Sequence, residues 1–236
     1  MSRRDNPEGR CRRCRMHEVL CLCALIPRIE TRTRLVLVIH RFEERKPTNS
    51  GQLAALCLPN SEVCVRGIAG TPAPQFTHDP ATQPLLLYPD ASATPLSSFA
   101  GSARPITLIV PDGTWRQAAK VRQRMPGLAD VPCVSLPPDV PTSYRLRAEF
   151  HEGRLATLEA IARALGILEG PHVRVALEEL FRVMVARTLW MRGVVRADEV
   201  PGSIPERALV DDPRGGRSRT ATPHALELGT VGTARR

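Results

Sequence analysis

Apolar residues in this chain come in blocks whose lengths and spacings separate strands from helices. Residues 34–40, Arg-Leu-Val-Leu-Val-Ile-His, are a continuous run of β-branched and leucine side chains. A strand buried on both faces reads this way, and such strands belong to parallel sheets. Strands are predicted on similar grounds over residues 62–68, 85–88, 106–110 and 131–136, with Pro89 and Pro137-Pro138 stopping two of them. Between them the pattern predicts a polar loop over 41–51, a short helix over 52–58, loops over 69–84 and 90–104, and a basic helix over 116–125. Further on, Leu155, Leu158, Ile161, Ala162 and Leu165 recur at helical spacing, with Gly166 placed to end that helix. Val173, Ala176, Leu177, Leu180, Phe181, Met184, Val185 and Leu189 form a second stripe. Both stripes read as core. Strands that alternate with helices predict an α/β fold with a mostly parallel sheet and flanking helices.

Three segments follow from this pattern. Residues 1–33 read as a compact cysteine-rich knuckle and 34–196 as the main domain. From Ala197 to 236 the composition turns to Pro, Gly, Arg, Thr and Asp without periodicity, which predicts a largely disordered tail.

At 236 residues and 42% hydrophobic, the chain has material for a real core. No apolar run approaches the ~18–20 residues that span a bilayer. The arginine-rich N-terminus lacks an apolar stretch, so no signal peptide is expected, and a cytoplasmic location follows. The 33 basic residues outnumber the 24 acidic ones, a net charge of +9. The tail is balanced, so the excess lies in residues 1–196. Such an excess favours a polyanionic partner through steering and counterion release. Only Lys46 and Lys120 are lysines, and heavy arginine use with abundant Ala and Pro is also what a GC-rich genome yields.

Four of the seven cysteines fall within thirteen residues, as Cys11-x2-Cys14-x6-Cys21-x-Cys23. Two close pairs of soft ligands fit a tetrahedral structural zinc site, and four protein ligands leave no open position for chemistry. The second pair is tight, which keeps His17 as an alternative ligand. Cys57, Cys64 and Cys133 sit among apolar residues and read as core.

In open α/β sheets ligands bind beyond the carboxyl ends of strands. Asp112-Gly113-Thr114-Trp115 lies at such an end and opens the basic helix with Arg116 and Lys120. A carboxylate beside cations suits chemistry on an anionic polymer; equally, Asp112 caps the helix and Trp115 packs. Two further strand ends carry polar groups. One is His40-Arg41-Phe42-Glu43 through Arg45, Lys46, Asn49 and Gly51. The other is Ser143-Tyr144-Arg145-Leu146-Arg147, where tyrosine and arginine suit a base and a phosphate.

In series, these segments resemble the DTW-domain family. The resemblance rests on Asp112-Gly113-Thr114-Trp115, the cysteine knuckle, the loop with His40, Glu43, Asn49 and Gly51, and Leu87-Tyr88-Pro89. Tyr144 with Arg147 and the segment Leu-Ala-Thr-Leu-Glu-Ala at 155–160 also match. It covers roughly residues 10–193, and Ser50 stands where the pattern has threonine. The resemblance implies a SPOUT-like fold with a C-terminal trefoil knot. It also implies transfer of the 3-amino-3-carboxypropyl group from S-adenosylmethionine to N3 of a tRNA uridine, releasing methylthioadenosine. Asp112 is then the candidate base. Leu87, Tyr88, Pro89, Asp112, Gly113, Thr114, Trp115, Leu136, Tyr144 and Arg147 are candidates for the cofactor site. Arg41, Arg45, Lys46, Asn49, Arg116, Lys120 and Arg145 are candidates for RNA contact. Two other readings stay open: another S-adenosylmethionine-dependent RNA modification on the same scaffold, and a non-enzymatic zinc-containing RNA-binding protein.

Overall fold

Six parallel strands form the centre of the molecule, in the order β2-β1-β5-β3-β6-β4. A computed structural model describes residues 9–137 and 155–210, together with Pro213. The strands are β1 (Arg34–His40), β2 (Ser61–Arg66), β3 (Gln83–Leu87), β4 (Thr94–Pro95), β5 (Ile106–Asp112) and β6 (Cys133–Ser135). The helices are α1 (Arg41–Glu44), α2 (Ser50–Cys57), α3 (Trp115–Ala119), α4 (Val121–Arg124), α5 (Thr157–Leu168), α6 (Pro171–Met191) and α7 (Glu206–Leu209).

The apolar runs of β1 and β5 are buried on both faces because helices or loops cover each side. Leu35, Leu37, Ile39, Leu108 and Val110 point to one side, where α2, α5, α6 and the cysteine knuckle supply Leu53, Leu158, Phe181, Trp190 and Leu20. Val36, Val38, Leu86 and Ile109 point to the other, against Phe76, Val121, Met125 and Leu128. From β1 the chain moves to β2 on one flank, and from β5 it moves to β6 on the opposite flank. The carboxyl ends of β1 and β5 therefore flank a switch point, the place where a parallel sheet opens a crevice.

Several expectations need correction. The polar loop after β1 contains the single turn α1, and β4 is too short to leave a pattern. The basic helix is broken at Lys120 into α3 and α4. The carbonyl of Gln117, which an unbroken helix offers to Val121, takes a hydrogen bond from Arg66 Nη2 at 2.5 Å. Gly166 does not end α5, which runs on to Leu168. A Cβ there would lie 2.9 Å from Arg174 Cβ, so the glycine lets α5 and α6 approach. Gly166→Ala is expected to cost roughly 1–3 kcal/mol by forcing the helices apart, read as a lowered urea midpoint with unchanged slope. Gly170, at φ +118, makes the turn before α6.

The knuckle and the described part of the expected tail are built into the main core. Met16, Leu20, Leu22, Val200, Ile204 and Ala208 all enter it. Arg187 of α6, 5% exposed, donates from Nη1 to the carbonyls of Leu20 at 3.3 Å and Cys21 at 2.9 Å, and from Nη2 to that of Ser203 at 3.3 Å. Arg207 donates to the Glu18 carbonyl. Among the described residues, no helix is long and apolar enough to cross a membrane.

Candidate active site

Asp112 ends β5 in line with Leu108 and Val110, so its side chain turns toward α2 and α5. It is 8% exposed. Asn49 donates from Nδ2 to Asp112 Oδ2 at 2.5 Å, and Thr157 donates from Oγ1 to Asp112 Oδ1 at 2.6 Å. Asn49 is the N-cap of α2, accepting from Gln52 N at 2.9 Å, and Thr157 is the first residue of α5. The carboxylate therefore faces two helix N-termini, where backbone dipoles favour an anion. Ser50 Oγ accepts from Leu158 N at 3.3 Å, which ties the same two ends together, and Glu159 accepts from Ala156 N at 2.9 Å, closing the start of α5 on itself. Gly51 is needed in this packing. A Cβ on it would lie 3.1 Å from both Leu37 and Thr157 side chains and 3.2 Å from Asp112 Oδ2.

Asp112 is not the cap of the helix it precedes. Thr114 is, accepting from Gln117 N at 3.3 Å, while Gln117 Oε1 accepts from Thr114 N at 2.8 Å. This capping box satisfies the start of α3 and leaves Asp112 directed at α2 and α5. Trp115, the first residue of α3, is 43% exposed. Its ring centroid is 6.1 Å from that of Tyr88, which follows β3. The carboxyl ends of β3 and β5 thus carry a half-open aromatic pair close in sequence to a buried carboxylate. Leu87 is buried, Leu136 and Gly113 are half-buried, and Pro89 is exposed on this edge. Tyr144, Arg145 and Arg147 lie outside the described residues.

The expected RNA-contact residues divide into two groups. Arg45, Arg116 and Lys120 are exposed, and the half-buried Arg41 lies with its guanidinium carbon 4.5 Å from the Phe42 ring centroid. Lys46 instead pairs with the buried Glu43 at 2.6 Å. Asn49 has its amide engaged by Gln52, Asp112 and the Glu43 carbonyl. Three residues at this edge carry little signal in the sequence. Thr157 is marked only by lying within the Leu-Ala-Thr-Leu-Glu-Ala segment. Ser50 stands in the loop after β1 with nothing local to assign it a role, and Arg66 has no local signal.

His40, which ends β1 beside Arg66 of β2, points to the opposite face from Asp112, with α3 and α4. Its Nδ1 accepts from Phe42 N at 3.4 Å. Burial, then the charges of Arg66 and Arg41, hold its pKa below the usual histidine value, with Glu43 opposing and Arg124 adding to the depression.

The four clustered cysteines meet as the spacing predicts, with every sulfur within 4.8 Å of the others, and His17 is not among them. Cys11 and Cys23 sulfurs are 3.5 Å apart and those of Cys14 and Cys21 are 3.7 Å apart. A zinc ion with Zn–S bonds of ~2.3 Å needs sulfurs ~3.8 Å apart at tetrahedral corners. Backbone N–H groups of Leu22 and Cys23 already point at the Cys14 and Cys21 sulfurs. Burial opposes ionisation of Cys11, but the backbone N–H groups of Cys14 and Arg13 together with the Cys23 and Cys21 thiols bring that thiol to about 6. Burial, then the neighbouring thiols, push Cys23 up to about 12. A set of thiolates that resists collecting charge by itself fits a bound dication.

A family model of the DTW domain matches residues 8–189. The tRNA-uridine aminocarboxypropyltransferase 2 of Drosophila melanogaster is 30% identical over 177 residues, covering 72% of this chain and 70% of that protein. The protein of the same name from Mus musculus is 32% identical over 168 residues, 67% of this chain and 56% of its own length. The tRNA-uridine aminocarboxypropyltransferase A of Arabidopsis thaliana is 27% identical over 212 residues, 74% of this chain and 79% of that protein. The match thus spans little more than half of the mouse protein. No solved structure matches the chain significantly. The family match takes in the cysteine cluster, the Asp112 turn and nearly all of α6, and on it the chain belongs to the DTW-domain family.

Proposed function

We propose that this chain transfers the 3-amino-3-carboxypropyl group of S-adenosylmethionine to N3 of a uridine in tRNA. The observation that carries the reading is the end of β5, where a buried carboxylate and a half-exposed tryptophan stand three residues apart at the sheet's switch point. The names of the relatives and the basic, exposed surface of α3 and α4 support the same substrate class.

S-adenosylmethionine supplies a sulfonium that activates three carbons, so position decides which one is attacked. In the proposed reaction the bond from sulfur to the aminocarboxypropyl carbon breaks, its electron pair stays on sulfur, and methylthioadenosine leaves. The new bond forms between that carbon and uridine N3, and the N3 proton is lost. Trp115 and Tyr88 offer aromatic faces to the adenosine, with Leu87, Pro89, Gly113, Thr114 and Leu136 forming the adjoining edge. Tyr144 and Arg147 are proposed to complete it. Asp112 is proposed as the proton acceptor. Asn49 and Thr157 donate to its two oxygens and fix their orientation. Asn49 and Thr157 are positioning residues in this scheme. Arg41, Arg45, Arg116 and Lys120 are proposed for phosphate contact, and the cysteine cluster for structural zinc. A SPOUT-like fold with a C-terminal knot belongs to the same reading; the parallel sheet packed against α5 and α6 supports it.

Mass spectrometry of nucleosides from tRNA treated with the purified chain and S-adenosylmethionine tests the reaction. The expected product is 3-(3-amino-3-carboxypropyl)uridine with one methylthioadenosine released per event. Methylated nucleoside and S-adenosylhomocysteine would instead mean methyl transfer, and no product would leave an RNA-binding protein.

A further inference from the structure

Arg66 is a buried cation with no counter-ion among the described residues. It is 4% exposed, at the carboxyl end of β2. One guanidinium nitrogen reaches the Gln117 carbonyl, while Nε is buried with no hydrogen-bond partner. A buried guanidinium is costly unless its charge and donors are met. Its charged surroundings make the cost larger, since burial and the charge of Arg124 both act against its protonated form. His40 stands next to it in register across β1 and β2, and Arg41 follows His40. Gly67, at φ +80, lets the chain turn beside the His40 ring, where a Cβ would come within 2.8 Å of His40 Nε2. The exposed Arg124 is close enough for its charge to act on both Arg66 and His40, and the cluster lies on the same sheet face as Tyr88.

We propose that Arg66, with His40, Arg41 and Arg124 around it, forms an oxyanion site that holds a backbone phosphate of the RNA substrate. The inference rests on the RNA reading above and extends it to a buried arginine, Arg66, with no sequence signal. A phosphate brings the negative charge and acceptor oxygens that Arg66 lacks, in the forked geometry that arginine suits. Held there, one phosphate would fix the strand at the sheet edge while the adjoining base reaches Trp115.

Filter binding of an unmodified tRNA transcript to the full chain, over a range of salt concentrations, tests the site. Arg124→Glu, at an exposed position, is expected to weaken binding roughly tenfold and to lower the slope of log K against log salt by about one. Arg66→Met should show the same signature, with a melting scan to check that the chain is folded. Arg28→Glu makes the same charge change at an exposed arginine paired with Glu30, and should alter binding far less. Affinity for S-adenosylmethionine, measured by calorimetry, should stay within about twofold in Arg124→Glu, as expected of a residue that serves the RNA alone. Wild-type tRNA affinity and slope in both site variants would overturn the proposal. A loss confined to S-adenosylmethionine binding would also overturn it, assigning the oxyanion to the donor's carboxylate. Failure of the wild-type chain to bind tRNA would remove this site and the functional reading together. Normal binding and modification by the variants would remove only this site.

Discussion

Asp112→Asn is expected to lower turnover by at least about a hundredfold, the usual contribution of a positioned general base, with tRNA affinity within a few-fold of wild type. The amide has nearly the shape of the carboxylate but can neither accept the N3 proton nor carry the charge that two helix N-termini favour. The substitution also disturbs local bonding. With Thr157 and Asn49 both donating to Asp112, one of the two would meet an NH2 donor. The expected cost is roughly 1–3 kcal/mol, the range for an unsatisfied buried group. Two further measurements separate chemistry from damage. Thr157→Val removes one donor to Asp112 and leaves the carboxylate in place. It should lower stability by about 1–2 kcal/mol, yet lose much less turnover than Asp112→Asn. A folded Asp112→Asn chain should also bind S-adenosylmethionine with little change, so that the loss falls on kcat. If KM for S-adenosylmethionine rises instead with kcat preserved, Asp112 holds the donor's ammonium and is not the base. Full turnover in the variant would exclude both roles.

How much of this site the sequence displays depends on the range of the interactions that build it. The strands β1 and β5 are legible because burial on both faces demands unbroken apolar runs, and α6 because its stripe persists along most of a helix of 21 residues. The cysteine knuckle is legible because its ligands lie close together in the chain. Asp112 is legible as a strand-end carboxylate, but its partners are not. Asn49 and Thr157 are 63 and 45 residues away from it, and no local pattern pairs them. The same distance hides Arg66, whose guanidinium spans 51 residues to reach Gln117 and interrupts a helix that periodicity alone would continue. Gly166 misleads for a related reason. Glycine is common where helices end, but here its missing side chain serves a contact with Arg174 in the next helix. Past Ala197 the composition is that of a loose segment. Val200, Ile204 and Ala208 still find apolar cover against the knuckle and α6, which only the tertiary fold provides.

Cys21→Ser is expected to lose about one zinc per chain and to lower the melting temperature by roughly 10 °C, the shift that corresponds to about 4 kcal/mol in a domain of this size. A detached finger would give a separate, small transition. Here the loss should reach the whole domain. The carbonyls of Leu20 and Cys21 both accept from Arg187 in the middle of α6, whose other arm holds Ser203. The buried side chains Leu20 and Leu22 belong to the same core as Leu37 and Phe181. Without the ion the knuckle loses its cross-link, Arg187 loses ordered acceptors for a buried charge, and the segment from Val200 to Ala208 loses its tether. Chelation of the wild-type chain should therefore expose the thiols of all four cysteines to a thiol reagent and, in the same step, raise proteolysis near residue 203. Arg187→Met should destabilise the chain while retaining the metal, because the four sulfurs remain. The order of loss distinguishes this coupling from a passive zinc site. If Cys21→Ser loses its zinc but melts as the wild type does, the knuckle is an appendage and its burial beneath α6 contributes little to the fold.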